Sequence, residues 1–256
     1  MKRFFIYLSY DGTNYSGWQN QPNSTTVQEV LEKAISTILR TPTEITGAGR
    51  TDAGVHARMM VAHFDAELDI SELQPLCEKL NSFLPKDIAI QKIVPVTNEA
   101  HARFDATSRT YRYYLTTEKD PFKVNTHLRL FFVPDIEKMN ECANVLFEFE
   151  DFSSFSKSHT DVKTNVCKIM YAQWERQGSD FIFTIKADRF LRNMVRAIVG
   201  TLLEAGRDRL SVRGMQRIIK AQDRRTAGTS APAQGLFLED IEYPESIFLN
   251  QEGGNR

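Results

Sequence analysis

Residues 47–57 read GAGRTDAGVHA, a glycine-rich stretch with an aspartate, Asp52, at its centre. The residues before it, Thr43 to Ala48, and those after it, Val61 to Phe64, have the β-branched and aromatic composition of strands. We therefore predict a loop between two strands, and the elements around this loop decide the fold class.

Working outward from the loop, the chain alternates predicted strands and helices. Phe4 to Tyr10 is typical of a strand, and Thr26 is placed to cap a helix whose apolar residues recur at helical spacing. The later part of the chain repeats the pattern, with a strand predicted over Thr110 to Thr117 and a helix over Phe190 to Ala205. Other predicted elements are a helix over Ser71 to Leu80, a strand over Ile88 to Val94, a helix from Ile136, a hairpin around Gln177-Gly178 and a strand near Leu236 to Glu242. The simplest organisation is two mixed α/β halves, residues 1–105 and 106–256.

Composition indicates an ordinary globular protein. The chain has 256 residues, of which 41% are hydrophobic and 25% charged. Its N-terminus lacks the features of a signal peptide, and no apolar run approaches the length of a membrane span. Cys77, Cys142 and Cys167 are odd in number and far apart, which favours buried thiols in a reducing cytoplasm over disulfides or zinc.

Basic residues are concentrated in one segment. The net charge is −1, but residues 186–225 hold eleven Lys or Arg and four Asp or Glu, a net charge of +7. Within the helix predicted there, Arg189, Arg192 and Arg196 fall at i, i+3 and i+7 and share one face. We assign Arg189 and Arg192 to RNA binding on this basis, although a solvated helix surface predicts the same composition.

The glycine-rich loop does not match the common phosphate-binding loops. Asp52 occupies the third-glycine position of a dinucleotide-binding motif, and the lysine of a P-loop is absent. A metal site made of Asp52, His56 and His63 lacks a second carboxylate cluster and is not favoured. No nucleophilic serine or cysteine motif is present.

What remains is a single carboxylate on a loop that Gly47, Gly49 and Gly54 allow to approach its surroundings closely. Arg50 lies two residues before Asp52, and a neighbouring guanidinium favours the ionised form of a carboxylate. Asp52 could therefore act as a covalent nucleophile or as a general base. The competing structural interpretation is an Arg50–Asp52 ion pair that only closes the turn.

Seven stretches, in order and spanning nearly the whole chain, resemble the tRNA pseudouridine synthase I family, also called tRNA pseudouridine synthase A. They are YDGTNYSGWQNQPNSTTVQEVLEKAI from Tyr10, GAGRTDAGVHA from Gly47, NSFLPKDIAI from Asn81, HARFDATSRTYRYYL from His101, DFSSF from Asp151, FLRNMVRAIVGTLLEAG from Phe190 and APAQGLFL from Ala231. One such match could be a coincidence, but seven in family order are not.

The resemblance implies a role for each matched site residue. Asp52 corresponds to the catalytic aspartate, and Tyr111 to the tyrosine that stacks on the target uracil. Arg50 corresponds to the arginine that helps to hold the RNA open around the extruded base. Arg196 corresponds to the basic residue that pairs with the catalytic carboxylate.

The resemblance also implies an α/β (α+β) fold of two ferredoxin-like subdomains that share an extended, mainly antiparallel sheet, with the active-site cleft between them. The implied protein is a homodimeric tRNA pseudouridine synthase that acts at positions 38 to 40 of the anticodon stem-loop. Because the isomerisation neither gains nor loses atoms, we expect no cofactor or metal. The alternative is a catalytically silent tRNA-binding or folding protein, but a carboxylate in a phosphate-binding cleft would lower its affinity for RNA.

The chain departs from the family after GVHA. The family continues with one residue and then Gly-Gln, whereas this chain has Arg58, Met59 and Met60. We expect catalysis to survive because Asp52 lies upstream, and we expect any effect to fall on contacts at the end of the loop, where preference among neighbouring uridines could change.

Overall fold

The computed structural model describes residues 1–157 and 164–249, which divide into two compact units. The first unit comprises residues 1–107 and 240–249, and the second comprises the described residues of Ser108–Glu239. This differs from the predicted halves, because the last part of the chain belongs with the N-terminal unit. Along the described chain, none of the helices has the length and apolar character needed to cross a bilayer.

The first unit is a sheet with two helices. Its elements are β1 (Lys2–Tyr10), α1 (Val27–Leu39), β2 (Thr46–Gly47), β3 (His56–Ala66), α2 (Ile70–Phe83) and β4 (Ile88–Val96). β1 pairs antiparallel with both β3 and β4, and the short β2 pairs with β3. Helix α1 begins where predicted, because the Thr26 hydroxyl accepts a hydrogen bond from the Glu29 N–H at 3.2 Å.

Alternation along β1 and β3 gives this sheet two different faces. Phe4 contacts Phe64 with ring centroids 5.7 Å apart, while the next residue, Phe5, contacts His63 at 6.4 Å. Successive side chains of a strand point to opposite faces, so Phe5 and His63 share the face opposite Phe4. Phe5 also packs against the rings of Tyr243 and Phe248, residues that return from the end of the chain.

In its described residues, the second unit combines a sheet with three α-helices. Its elements are β5 (Ser108–Thr116), β6 (Leu128–Arg129), α3 (Ile136–Asn144), β7 (Ile169–Gln177), β8 (Asp180–Ala187), α4 (Met194–Gly206) and α5 (Val212–Lys220). It also holds the first four residues of β9 (Leu236–Glu242), whose last three residues belong to the first unit. β8 pairs antiparallel with β5 and β7, whereas β6 pairs parallel with β5. Helices with mainly antiparallel strands confirm the predicted α/β (α+β) class.

Among the elements that differ in extent from their predictions, β2 is only two residues long, and β3 and α4 bear most on the site. β3 starts five residues earlier than predicted, because its pairing with β1 continues as far as Ala57. Helix α4 starts at Met194, four residues later than predicted, because Asn193 has a left-handed backbone (φ 66°) that a continuous helix cannot contain. The later start of α4 changes the interpretation of the basic residues that precede Asn193.

Candidate active site

Asp52 lies on the loop between β2 and β3. The chain leaves β2 at Gly47, and the next N–H, that of Ala48, donates to the Val61 carbonyl oxygen at 2.8 Å. The Val55 N–H donates to the Asp52 carbonyl oxygen at 3.1 Å and closes a turn just before β3. Asp52 is half-buried at the start of this turn.

The three glycines of the loop have different uses. A side chain at Gly47 would overlap the indole of Trp18, so this glycine permits close packing as predicted. Gly54 has φ 76°, which a residue with a Cβ rarely adopts. Gly49 has open space around its Cα, so the prediction of close approach does not hold there.

Residues 10–18, YDGTNYSGW, hold the aspartate loop, and we call this segment the cradle. The Trp18 N–H donates to the Thr51 carbonyl oxygen at 3.2 Å. The Gly54 N–H donates to the Tyr15 carbonyl oxygen at 3.3 Å. The cradle therefore fixes the loop backbone on both sides of the aspartate.

Side chains add to these backbone contacts. The hydroxyls of Tyr10 and Thr51 are hydrogen-bonded at 2.8 Å, and both residues are buried. The Tyr15 hydroxyl donates to Asp87 at 2.6 Å, and burial followed by this hydrogen bond raises the Tyr15 pKa. Tyr15 is thus a neutral donor that ties the cradle to the residue preceding β4.

His56, the first residue of β3, joins the cradle to the end of the loop. Its Nδ1 accepts the Gly12 N–H at 3.1 Å and lies 3.1 Å from the Asp11 carboxylate. His63 also uses Nδ1, which accepts the Ala102 N–H at 3.1 Å. The two histidines are seven residues apart on one strand, roughly 20 Å at about 3.3 Å per residue, so they cannot bind one metal ion together.

Arg50 does not form the ion pair that the competing interpretation required. Its side chain is exposed, and within the described residues it forms no hydrogen bond or salt bridge, with Asp52 or with any other group. The turn is closed instead by backbone hydrogen bonds and the cradle. The guanidinium is left at the surface beside the carboxylate loop.

Tyr111 lies on β5 of the second unit, where it pairs with Ile185 of β8. It is half-buried and packs edge-on against Phe190, with ring centroids 5.1 Å apart at 87°. The strand aromatic that belongs to the core is Tyr113, which is fully buried and donates to the Pro232 carbonyl oxygen at 2.7 Å.

Arg196 lies in the first turn of α4 and is fixed to the segment before β9. Its Nε donates to the Ala231 carbonyl oxygen at 2.8 Å, and its own carbonyl oxygen accepts the Ala231 N–H at 2.9 Å. Asn193 supports the same segment, because its amide donates to the Ser230 hydroxyl at 2.6 Å. The motif APAQGLFL is therefore anchored by the residues that open α4.

Arg189 and Arg192 do not lie on a helix, so the prediction that they share a helical face with Arg196 is wrong. Both precede Met194, the first residue of α4, in an irregular segment. The Arg192 carbonyl oxygen accepts the Lys157 N–H at 3.1 Å, which holds this segment out of the helix. Arg189 is half-buried and Arg192 is exposed.

A basic face with helical spacing exists on α5, and our reading of the sequence missed it. Arg213, Arg217 and Lys220 are exposed at i, i+4 and i+7, and we call them the α5 basic face. In the part of the chain that the structure describes, none of their side chains forms a hydrogen bond or salt bridge. The opposite side of the helix is buried through Met215 and Ile219. The pattern VRGMQRIIK contained this signal.

Other cations of the basic segment are neutralised locally. Arg207 pairs with Glu204 at 2.9 Å, and Arg225 pairs with Asp223 at 2.7 Å. Arg209 lies 3.8 Å from the same Glu204. The net charge of the segment therefore overstates how many of its cations are available to a polyanion.

Met59 and Met60, where the chain departs from the family pattern, lie inside β3 and not in the loop. Met60 is fully buried and pairs with Leu8 of β1. The departure therefore belongs to the sheet, downstream of the cradle contacts that hold Asp52.

Known proteins resemble this chain over nearly its whole length. A family model described as tRNA pseudouridine synthase matches residues 6–105 and 149–244. The chain is 60% identical to tRNA pseudouridine synthase A of Parabacteroides distasonis, and the match covers 97% of this chain and 98% of that protein. It is 59% identical to the protein of the same name from Bacteroides thetaiotaomicron (98% and 94% covered) and 38% identical to that of Exiguobacterium sibiricum (96% and 98% covered). The chain belongs to the tRNA pseudouridine synthase family.

Proposed function

We propose that this protein converts uridine to pseudouridine in tRNA, with Asp52 as the catalytic carboxylate. The observation that carries the proposal is the held loop: hydrogen bonds from the cradle fix the backbone on either side of a half-buried aspartate. A loop that only connected two strands would not need such support. Membership of the tRNA pseudouridine synthase family supplies the reaction class.

The reaction is an isomerisation. The bond between uracil N1 and ribose C1′ breaks, the base turns, and C5 of uracil bonds to C1′. The C5 proton leaves and N1 gains a proton, so atoms and electrons balance within the nucleotide. A carboxylate can serve this reaction by adding to the uracil ring or by attacking C1′. We expect neither route to need a cofactor or metal.

The target base must leave its stack before it can react, which costs roughly a few kcal/mol. An aromatic ring that stacks on the base and a cation that holds the phosphates can offset this cost. We propose Tyr111 as the ring, because it is only half-buried while Tyr113 fills the core position of the same strand. We propose Arg50 as the cation, because its guanidinium is exposed and has no partner within the described residues.

The other roles implied by the resemblance stay predictions. We propose that the substrate site is the anticodon stem-loop, at positions 38 to 40, that the protein is a homodimer, and that it works in the cytoplasm. Three buried free cysteines fit a reducing compartment. We also propose that Arg196 is the basic residue that pairs with the catalytic carboxylate. The hydrogen bonds that fix its side chain and backbone to Ala231 support this role.

For the tRNA backbone we propose two contact regions in the second unit. The first is the α5 basic face, whose cations are exposed and lack salt bridges in the described chain. The second is the irregular segment before α4 that contains Arg189 and Arg192. The sequence analysis assigned these two arginines to RNA binding, and we retain that assignment although they do not lie on a helix.

The decisive experiment measures the hydrogen that must leave C5. Unmodified tRNA carrying tritium at uracil C5 is incubated with the wild-type protein, Asp52→Asn and Asp52→Ala, and tRNA binding is measured in parallel. We expect tritium release and pseudouridine only with the wild type, and tRNA binding with all three. No release by the wild type would refute the activity, and release by either variant would refute the assignment of Asp52. Binding without release by the wild type would favour the silent tRNA-binding alternative.

A further inference from the structure

Phe104 is a large aromatic side chain that is exposed to solvent. It is 73% exposed and lies on the turn of residues 101–105, HARFD, in the first unit. We call this the HARFD turn. Exposing an aromatic ring of this size forgoes the free energy of burying it, so a fixed ring at the surface calls for an explanation.

The HARFD turn is rigid. His101 and Asp105 exchange hydrogen bonds, with the His101 N–H donating to the Asp105 carboxylate at 2.7 Å and the Asp105 N–H donating to the His101 carbonyl oxygen at 3.1 Å. Ala102 is held from both sides, since its N–H donates to His63 and its carbonyl oxygen accepts the Tyr243 hydroxyl at 2.6 Å. Little conformational freedom is left for the turn to lose on binding.

The neighbours of the exposed ring are polar and cationic. The His101 ring lies 4.2 Å from the Phe104 ring at 37°, and the Arg103 guanidinium lies 5.7 Å from it. Nδ1 of His101 accepts the Arg103 N–H at 3.1 Å, so this imidazole acts as an acceptor. Burial, followed by the charge of Arg3, lowers the His101 pKa, which keeps it in that neutral state. His101 thus supports one face of Phe104 and leaves its remaining surface available.

We propose that Phe104 is a stacking site for an unpaired nucleobase of the RNA, with Arg103 contacting the adjoining phosphate. The inference rests on the proposed function, because it takes RNA as the ligand. A base stacks on an aromatic ring through its π face whatever its sequence, and a guanidinium beside the ring matches the phosphate that accompanies the base. The site lies at the His63 end of β3, whereas the Asp52 loop joins the other end, so it contacts RNA some distance along from the reacting uridine.

The surroundings favour RNA over a second protein as the ligand. Phe104 is flanked by an imidazole and a guanidinium, and both of these groups stack on unpaired bases in RNA complexes. The carboxylates nearby are hydrogen-bonded: Asp65 to Arg3 at 2.8 Å, and Asp105 to His101. Glu99 is a further acid whose charge acts on Arg3.

Affinity for unmodified tRNA, measured by fluorescence anisotropy, tests the site. Phe104→Ala is expected to weaken binding about 5- to 150-fold, the usual range for loss of one base–aromatic stack. Phe104→Tyr keeps a stacking ring and should bind as the wild type does. Phe83→Ala is the matched control, because Phe83 is also exposed (53%) in the same unit, on α2. It should leave tRNA affinity unchanged.

A direct readout comes from Phe104→Trp. Both native tryptophans are buried, Trp18 at 2% and Trp174 at 1% exposure, so the introduced indole dominates the long-wavelength emission. Stacking on a base should quench this emission when tRNA is added, and the absence of quenching would overturn the proposal.

Sedimentation of the same variants separates RNA from a protein partner. Wild-type tRNA affinity in Phe104→Ala would overturn the proposal, as would a loss of affinity that accompanies a change in oligomeric state, which would make a second copy the ligand. Tritium release by the wild type is followed alongside. Its failure would refute the synthase activity, while the binding comparison would still judge the stacking site.

Discussion

The hydroxyls of Tyr10 and Thr51 meet at 2.8 Å in a buried position, one residue before Asp52. Tyr10 ends β1 and Thr51 belongs to the loop, so this hydrogen bond ties the position of the carboxylate to the end of strand β1. It is the side-chain counterpart of the backbone hydrogen bonds from the cradle.

Removal of this hydrogen bond should reduce turnover more than tRNA affinity. Tyr10→Phe leaves the buried Thr51 hydroxyl without its partner, which costs about 1–3 kcal/mol of folding free energy, and it loosens the residue next to Asp52. We expect kcat to fall by about tenfold or more, since misplacement of a reacting group by about 1 Å can cost a hundredfold. The measurements are chemical denaturation and single-turnover tritium release.

A double-mutant cycle supplies the control for Tyr10. Thr51→Val removes the other hydroxyl while keeping the shape of the side chain. If the contact carries the effect, the double variant should lose little more than either single variant, with a coupling energy of about 1 kcal/mol. Additive losses would show that the two side chains act independently.

Gly17 should not tolerate alanine. Its backbone is left-handed (φ 92°), and an added Cβ would overlap the Thr51 carbonyl oxygen beside Asp52. Gly17→Ala should therefore lose more than the backbone strain alone, about 2 kcal/mol or more of unfolding free energy, and most of the turnover.

Gly178 is the matched control for Gly17. It is also left-handed (φ 63°), but it stands in open space in the turn between β7 and β8. Gly178→Ala should cost only the strain, about 1–2 kcal/mol, and should keep normal turnover of the folded protein. Equal effects of the two substitutions on turnover would contradict a positioning role for the Gly17 contact.

The sequence predicted those elements whose signals are local. The Thr26 cap and the apolar periodicity of α1 depend only on residues close together in the sequence. The strand composition of β1 and β5 is local in the same way. The start of α4 is different, because hydrogen bonds to residues distant in sequence hold the segment before Asn193 out of the helix. A basic period through Arg189 and Arg196 was therefore a coincidence of spacing.

The sequence was enough to propose the catalytic residue, but it did not predict the hydrogen bonds that hold the loop in place. A glycine-rich stretch with one carboxylate, together with the family resemblance, was enough to select Asp52. The cradle contacts join residues about forty positions apart, such as Tyr10 with Thr51 and Gly12 with His56, and no periodicity reports such pairs. The missing Arg50–Asp52 ion pair likewise depends on side-chain directions that spacing does not determine.

The α5 basic face should contribute to the salt dependence of tRNA binding. Replacement of Arg213, Arg217 and Lys220 by glutamine should make the negative slope of log K against log salt less steep by about 2 to 3. Each phosphate contact contributes about 0.7–0.9 to the steepness of that slope. Affinity at low salt should fall with it. The measurement is a series of anisotropy titrations at increasing salt.

Paired arginines provide the control with the same change of net charge. Arg207, Arg209 and Arg225 lie within salt-bridge distance of Glu204 or Asp223, so their replacement by glutamine should change the slope by less than about 1. A double variant, Arg189→Gln with Arg192→Gln, tests the proposed contact region before α4 and should make the slope less steep by about 1 to 2. An unchanged slope in the α5 variant would make that face an ordinary solvated surface.

Arg196 should not be replaceable by lysine. Arg196→Lys keeps the positive charge but loses the guanidinium fork, and with it the hydrogen bond from Nε to the Ala231 carbonyl oxygen. Loss of a hydrogen bond from a charged group costs about 1.5–3 kcal/mol, so we expect kcat to fall about 10- to 100-fold. Arg176→Lys is the control and should retain its turnover, because it also loses a hydrogen bond from Nε to a carbonyl oxygen, that of Gly178 at 3.0 Å. Full activity of Arg196→Lys would mean that charge alone suffices at this position.

His63 should make folding stability depend on pH in mildly acidic solution. Burial, then the charges of Arg3 and His101, lower the His63 pKa to about 4, against an ordinary value of about 6.5. The folded state therefore binds fewer protons than the unfolded state, and stability is complete above about pH 6.5 and is lost as the pH falls towards 4. Between about pH 7 and pH 5 the loss from this group should be about 2 kcal/mol.

The variant that isolates this contribution is His63→Gln, which retains an acceptor for the Ala102 N–H but has no proton to bind. Denaturation at pH 7 and at pH 5 should show a smaller pH-dependent loss in the variant than in the wild type, by about 2 kcal/mol. Both proteins keep the same carboxylates, so their shared titration cancels in this difference. Equal losses would mean that His63 can take up a proton in the folded state at little cost, which its buried place between Phe5 and His101 argues against.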